Sequence, residues 1–172
     1  MIIWLTGLSC SGKTTVGRLV HGLWKSKAAN TVIVDGDEVR NLFQLENGDS
    51  LYTLNGRRMV AGRIHDLCAW CDRQGINVVC CTISLFDDLH RMNREVFSRY
   101  FEVFIDAPME VLKKRDDKNL YGPALRGETR NVMGVDLPFA LPADPDMVVD
   151  NGDDGIDLEA VAAEILERAR AS

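Results

Sequence analysis

The stretch "IIWLTGLSCSGKTT" (residues 2–15) decides the fold. Five residues without polar alternation read as a strand covered on both faces. They run straight into a loop that satisfies G-x-x-x-x-G-K-[ST] with Gly7, Gly12, Lys13 and Thr14. The next segment, "TTVGRLVHGLWKS", carries Val16, Leu19, Val20, Leu23 and Trp24 at helical spacing. A strand before and a helix after are the context in which this motif binds phosphate. Glycines let backbone N–H groups turn inward, and the helix presents the positive end of its dipole. Gly7, Ser9, Cys10, Ser11, Gly12, Lys13, Thr14 and Thr15 are therefore the candidate nucleotide-binding positions. Lys13 reaches the β- and γ-phosphates in such a loop, and the Thr14 hydroxyl is placed for Mg²⁺. Cys10 stands at a variable position, as a space filler or as a thiol beside phosphate; sequence cannot show a lowered pKa.

Working outward, "NTVIVDGD", "INVVCCTIS", "YFEVFIDAP" and "DMVVDN" read as four more strands. Residues 53–74 and the closing "LEAVAAEILERARA" read as helices, and Pro108 is expected to open another at its first turn. This alternation predicts an α/β protein: a three-layer P-loop NTPase fold around a mostly parallel five-stranded sheet. Between about 116 and 145 the pattern gives way to a polar segment containing Gly and Pro. It is too long for a plain connection and is expected to be a lid. With no repeat, linker or low-complexity tract, residues 1–172 are expected to form a single domain.

Composition narrows the function. The chain has 172 residues and a formal charge of −6, which argues against general nucleic-acid binding and requires any anionic ligand to meet a local cationic cluster. No apolar run approaches the ~20 residues of a membrane span, and "MIIWLTG" lacks the features of a signal peptide. A cytoplasmic location is expected. The five cysteines are odd in number, and Cys80 and Cys81 are adjacent in an apolar run, so they do not read as a disulfide framework. His65, Cys68 and Cys71 share a helical face, but a metal shell needs a fourth ligand; buried small apolar residues are the plainer reading.

"VDGDEVR" places Asp35 and Asp37 at the carboxyl end of the second strand, where ligands of parallel sheets gather. Asp37 is the candidate base for an attacking hydroxyl, with Asp35 supporting it and joining Thr14 around Mg²⁺ through water. A polar turn capping the next helix is the competing role. Arg40, Asn55, Arg57, Arg58, Arg91, Arg94, Arg115 and Lys118 follow several separate strands, so that together they could form an anion trap.

These motifs resemble the adenylylsulfate kinase family of P-loop kinases. The likeness runs from "WLTGLSCSGKTT" through "VDGDEVR", "NGRR" and "TIS" to "YFEVFIDAPMEVLKKRDDKNLYGPALRGE" and "MGVDLPFALPADPDMVV". It implies transfer of the ATP γ-phosphate to the ribose 3′-hydroxyl of a modified nucleotide, adenylyl sulfate by family default, as in sulfate assimilation. It implies ATP and Mg²⁺ and admits a homodimer. By the same resemblance, Arg115, Lys118 and Leu120 lie where the lid meets ATP. Asp37, Arg40, Tyr52, Asn55, Ile83, Ser84, Leu85 and Val132 lie along the acceptor pocket.

Departures concentrate on the acceptor side. Where members usually carry "LGF…DR" before "N-x-R-R", this chain reads "LENGDSLYTLNGRR". "SPY…DR" has become "SLFDDLHR", with Leu89-His90 in place of Asp-Arg. "FTGID" reads "VMGVD", so Val132 occupies the position of a Phe that stacks on adenine, and "KKARAGE" reads "GPALRGE", moving the arginine to Arg126. A stacked aromatic face contributes ~1–3 kcal/mol per base, so such losses alter the acceptor preference. A branch resembling this family phosphorylates cytidine diphosphoramidate in capsule modification, and Tyr52 or Phe86 is a candidate replacement face, although core packing suits Phe86 better. Two other classes share the glycine loop. A GTPase-like switch wants N-K-x-D after a late strand, which "DDKN" does not supply. A non-catalytic nucleotide-binding protein fits poorly with the retained Lys13, Thr14, Asp35 and Asp37.

Overall fold

The computed structural model describes residues 1–43, 51–153 and 155–172. The stretch 44–50, where the first acceptor-side departure begins, lies outside the described residues. Five strands form one sheet: β1 (Ile2–Thr6), β2 (Thr31–Asp35), β3 (Asn77–Thr82), β4 (Tyr100–Asp106) and β5 (Met147–Asp150). Their order is β2-β3-β1-β4-β5, and every pairing is parallel. Parallel neighbours require crossovers, and the intervening helices supply them. Those flanking the sheet are α1 (Lys13–Lys25), α2 (Gly36–Leu42), α3 (Leu54–Arg73), α4 (Asp87–Val96) and α7 (Leu158–Ala171). Short α5 (Met109–Lys114) and α6 (Tyr121–Leu125) lie beyond the end of β4.

Strand alternation sorts the core into two layers. Ile3 and Leu5 of β1 pack with Val16, Val20 and Trp24 of α1 and with Ala162, Ile165 and Leu166 of α7. Ile2 and Trp4 face the other way, against Val39 of α2 and Val60, Ile64 and Cys68 of α3. Uniform burial on both faces explains why β1 and β3 show no polar alternation. Cys68, Cys71, Cys80 and Cys81 are buried within these layers. His65 gives its ring nitrogen to Asn93 Oδ1 at 2.7 Å. A third cluster lies over the carboxyl ends of the strands, where Leu8 and Phe104 meet Leu112, Tyr121, Ala124, Val132 and Met133. The polar-looking segment after residue 116 thus has a small core of its own, closed by a tight turn in which the Asp136 carboxylate accepts from the backbone of Asn131 and Val132 at 2.7 and 2.6 Å.

Two differences from the sequence reading are local. Pro108 caps α5 and does not open it. Its ψ of 146° is extended, and its carbonyl receives the amides of Val111 and Leu112. Helix α4 arises from "DDLHRMNREV", a charged stretch whose buried members are Leu89, His90 and Asn93. Two of those three are polar, which hides the apolar period. Among the described residues no helix is long and apolar enough to cross a membrane.

The fit of α1 on the sheet is set by Gly17, where a Cβ would stand 2.2 Å from Cys81 Sγ. Gly17→Ala should destabilise the protein by about 1–3 kcal/mol through overpacking, despite alanine's advantage of about 1 kcal/mol in helix propensity. Adding Cys81→Ala removes the obstructing sulfur and should recover most of that loss. Urea unfolding of the two single variants and the double variant checks this, since strictly additive effects would place the strain elsewhere.

Candidate active site

The glycine loop is held from outside by close contacts that only glycine permits. At Gly7 a Cβ would fall 2.5 Å from the Ile105 carbonyl oxygen. Gly12 has φ +90°, and a Cβ there would meet Asn151 Nδ2 at 2.5 Å. Asn151 follows β5, is buried, and donates from Nδ2 to the Ser11 carbonyl at 2.8 Å. Its backbone carbonyl accepts from Arg115 Nη1 at 2.8 Å, so one residue links the loop to the end of α5. Tyr121 adds a second tie: wholly buried, it donates its hydroxyl to the Ser9 carbonyl at 2.9 Å. Neither residue was singled out from sequence, because a short polar residue after a strand and a lone Tyr carry no motif.

Lys13 Nζ donates to the Leu8 carbonyl at 3.0 Å, folding its ammonium over its own loop. Burial pushes its pKa down, partly offset by Asp37, Cys81 and Asp35. Ser11 Oγ is buried with no hydrogen-bond partner among the described residues. Thr15 faces solvent. Cys10 sits in the left-handed region at φ +62°, with Asp116 Oδ1 3.9 Å from its sulfur. Burial raises its thiol pKa; the hydrogen bond with Ser9 opposes this, the Asp116 and Asp117 charges add to it, and Lys13 opposes it least. It is therefore a thiol, not an activated thiolate.

At the end of β2, the two readings of Asp35 prove compatible. Oδ1 accepts the Asp37 amide at 2.8 Å, capping α2, while Oδ2 accepts the Thr14 hydroxyl at 2.7 Å. A hydroxyl and a buried carboxylate oxygen side by side suit Mg²⁺, which takes few protein ligands and keeps several waters. Asp37 is half exposed between two cations, Arg40 Nη1 at 2.9 Å and Lys118 Nζ at 2.7 Å. Burial alone would raise its pKa. The hydrogen bond and charge of Lys118, then Arg40 and Lys13, outweigh burial and hold the carboxyl below its ordinary value.

Beside this lies a cleft whose lining includes Arg40, Arg57, Thr82, Ser84, Phe86 and Met133. Arg57 is anchored by the carbonyls of Tyr52 (2.9 Å) and Asn131 (2.8 Å). Two buried polar atoms here lack partners among the described residues, Arg40 Nε and Ser84 Oγ. Such atoms in a cleft are desolvated and ready for a polar ligand. The half-exposed Tyr52 ring has the Arg40 and Arg57 guanidiniums 6.0 and 5.7 Å from its centroid.

Other expected positions distribute unevenly. Ile83 also borders the cleft, and Asn55 is exposed on the first turn of α3. Leu85 and Val132 are buried in the third cluster, so Val132 is no pocket wall; its neighbour Met133 reaches the cleft instead. Leu120 packs at the edge of the same cluster. Phe86 is buried among Val34, Val39 and Leu89 while one edge lines the cleft, and Arg58, paired with Asp88, lies over its ring. The wider anion trap is not assembled. Arg94 is engaged by Asp146, Glu102 and the Asp144 carbonyl, and Arg91 is exposed; Arg126, which is not of that set, grips Glu128.

Residues 1–150 match the family described as adenylylsulphate kinase. The chain belongs to that family. It is a kinase of the adenylylsulphate kinase type, with the P-loop fold that type requires. Among curated relatives, it is 39% identical over 150 residues to the cytidine diphosphoramidate kinase of Campylobacter jejuni, covering 87% of this chain and 85% of that one. It is 31% identical over 171 residues to the adenylyl-sulfate kinase of Marinobacter nauticus, covering 97% and 84%. Among solved structures, the Mycobacterium tuberculosis APS kinase CysC in complex with AMPPNP and APS superposes with a TM-score of 0.83 at 27% identity, covering 98% of this chain and 96% of that one.

The two cations on Asp37 generate a prediction. Lys118→Met removes the stronger partner and should move the Asp37 carboxyl titration upward, as followed by side-chain carbon NMR. An unmoved midpoint would assign its depression to Arg40 and Lys13 alone.

Proposed function

We propose that the protein transfers the γ-phosphate of ATP to a ribose 3′-hydroxyl of cytidine diphosphoramidate bound in the cleft beside Arg40, Arg57 and Met133. The observation that carries the choice of acceptor is the burial of Val132. With that position packed against Leu8 and Tyr121, the cleft lacks an aromatic wall at the place from which the family stacks on adenine. The exposed ring near the cleft is Tyr52, flanked by two guanidiniums, an arrangement suited to a smaller base next to a diphosphate. The identity to the Campylobacter jejuni kinase supports the same acceptor. Adenylyl sulfate is the second reading, supported by the likeness to the CysC complex.

The division of labour follows from the site. Backbone amides of residues 7–14 and the Lys13 ammonium hold the phosphates, and Thr14 and Asp35 would hold Mg²⁺. When bound, the ion neutralises charge on the β- and γ-phosphoryl oxygens. Asp37, an acceptor-only carboxylate paired with Arg40 of the cleft, takes the hydroxyl proton in a hydrogen bond and orients the oxygen. Phosphoryl transfer has a loose transition state, so orientation outweighs early proton removal. Lys118 is the coupling element. On Asp37 it keeps the carboxylate weakly basic, and its transfer to bound phosphate frees an oxygen for the hydroxyl while raising that basicity. We further propose that residues 1–172 act as one kinase domain and that the segment 116–145 is the lid, since Lys118, Tyr121 and Met133 carry it onto the loop and the cleft.

An ATP-consumption assay across cytidine diphosphoramidate, adenylyl sulfate, AMP and CMP should give the highest kcat/KM with the first. Adenylyl sulfate turning over as well or better would reverse the assignment. Lys13→Ala should abolish transfer with the fold intact by circular dichroism. Asp37→Asn should lower kcat by about 10²–10⁴-fold, the range for a positioned acid–base group, with little change in ATP binding; equal losses in both would make Asp37 a structural residue.

A further inference from the structure

Behind the acceptor cleft runs a buried polar chain that the proposed reaction does not use. Helix α4 delivers His90, 5% exposed, between the turn after β3 and Glu102 of β4. Its Nε2 lies 2.6 Å from the Ser84 carbonyl oxygen, in the turn that follows β3. Nδ1 stands 2.9 Å from Oε1 of Glu102, an ion-pair separation although the ring N–H is not aimed squarely at the oxygen. Glu102 is 2% exposed in the middle of the sheet. Both ring nitrogens therefore face oxygens that only accept: a carbonyl has no proton to give, and a carboxylate repels a ring lone pair. The arrangement calls for a proton on each nitrogen.

We propose that His90 is a positioning residue of the acceptor cleft: an imidazolium held between the Glu102 carboxylate and the Ser84 carbonyl, it fixes the turn after β3 and sustains acceptor affinity for as long as it stays charged. This rests on the reading of that cleft as the acceptor site. Ser84 connects the two regions. Its carbonyl takes His90 and, at 3.3 Å, the Thr6 hydroxyl, while its own buried hydroxyl, without a partner among the described residues, lines the cleft beside Arg40 and Arg57. Release of the carbonyl would rotate the residue that carries this hydroxyl.

The surroundings favour the charged ring. On α4, Asp87 and Arg94 are its charged neighbours. From β4, the second Glu102 oxygen meets Arg94 Nη2 at 3.4 Å and the Tyr100 hydroxyl at 3.2 Å. Arg94 is in turn held by Asp146, which precedes β5, and Asn93 links Tyr100 to His65 of α3. Burial by itself lowers the His90 pKa, but Glu102, the Ser84 carbonyl and Asp87 together raise it above the ordinary value. A raised pKa fixes the sign. The strut is complete below ~6.5, the value for a free imidazole, and is lost as pH climbs through the higher folded value.

The experiment has two arms. In the first, imidazole ¹⁵N spectra of the ligand-free protein are recorded from pH 6 to 9, and the resonance missing from His90→Gln identifies the residue. His90 should keep both nitrogens protonated at pH values above ~6.5, where a free imidazole has become neutral. A singly protonated ring at pH 7 overturns the proposal. In the second, KM for cytidine diphosphoramidate and for ATP are measured over pH 7–9. The acceptor KM should rise about tenfold, as for one charge-assisted hydrogen bond lost, while the ATP KM stays level. His90→Arg, a permanent two-sided cationic donor, should flatten the acceptor profile at its low value, and His90→Gln should flatten it at its high one. Parallel movement of both KM values, or of neither, separates the strut from the cleft and overturns the proposal. Absence of turnover with every nucleotide tested would instead overturn the proposed function, while the imidazole spectra still decide the state of His90.

Discussion

One carboxylate sets the geometry of this site. Asp35 ends β2, yet the loop it must address follows β1, with β3 lying between the two strands. Its Oδ2 reaches across to the Thr14 hydroxyl while its Oδ1 caps α2 through the Asp37 amide. A single side chain therefore fixes the first turn of the phosphate-binding helix relative to the helix that carries Asp37 and Arg40. The reach is short enough only because α1 lies close on the sheet at Gly17 and because Gly36, 3.3 Å from Thr82 Oγ1 at its missing Cβ, lets α2 start against β3. The glycine loop and the cleft beside Arg40 are in register through this link.

Charge is distributed with similar economy. In a chain of formal charge −6, a site for two polyanions must keep its cations from being neutralised by carboxylates nearby. Arg94, Arg58 and Arg126 are so neutralised, by Asp146 and Glu102, by Asp88 and by Glu128. Arg57 is instead held by backbone carbonyls, which orient it without cancelling its charge. Lys13 likewise rests on a carbonyl. Among the described residues, Asp37 binds two cations inside the site, and its exposed pair with Lys118 is weak enough, ~0–1 kcal/mol, to be exchanged for a phosphate.

The fold was legible because its signals are local. An uninterrupted apolar pentapeptide, a glycine loop and a periodic helix specify β1, the loop and α1 within twenty-five residues, and the same grammar repeats through β4. Asp35 and Thr14 could be paired from their places in that grammar. Asn151 and Tyr121 could not, since their contacts with Ser11 and Ser9 span the chain and leave no period or spacing. Helix α4 was obscure for a related reason: its buried face carries His90 and Asn93, which satisfy one another's neighbourhood through β4 and α3 and do not look apolar. Arginine counts misled for a third reason, because sequence shows the cations but not the carboxylates that fold back onto them.

Under the proposed function, the position of Val132 explains how an acceptor pocket can change while the nucleotide half stays intact. A side chain at this place has two alternatives: to face the cleft as a stacking surface worth ~1–3 kcal/mol to a bound base, or to join the cluster under the segment at a comparable gain of ~1.5–3 kcal/mol for full burial. A flat phenyl ring can serve the first role. A compact β-branched residue cannot, and here it packs with Leu8, Phe104 and Tyr121. Burial of Val132 anchors the turn at 131–137, and that anchoring brings Met133 to the cleft and the Asn131 carbonyl to Arg57. The substitution thus moves stabilisation from the ligand to the protein. Leu8 belongs to both the loop and this cluster, so the packing of Val132 also supports the phosphate-binding loop. Under the proposed function, an acceptor that needs little from base stacking and more from paired guanidiniums is the one such a pocket would retain.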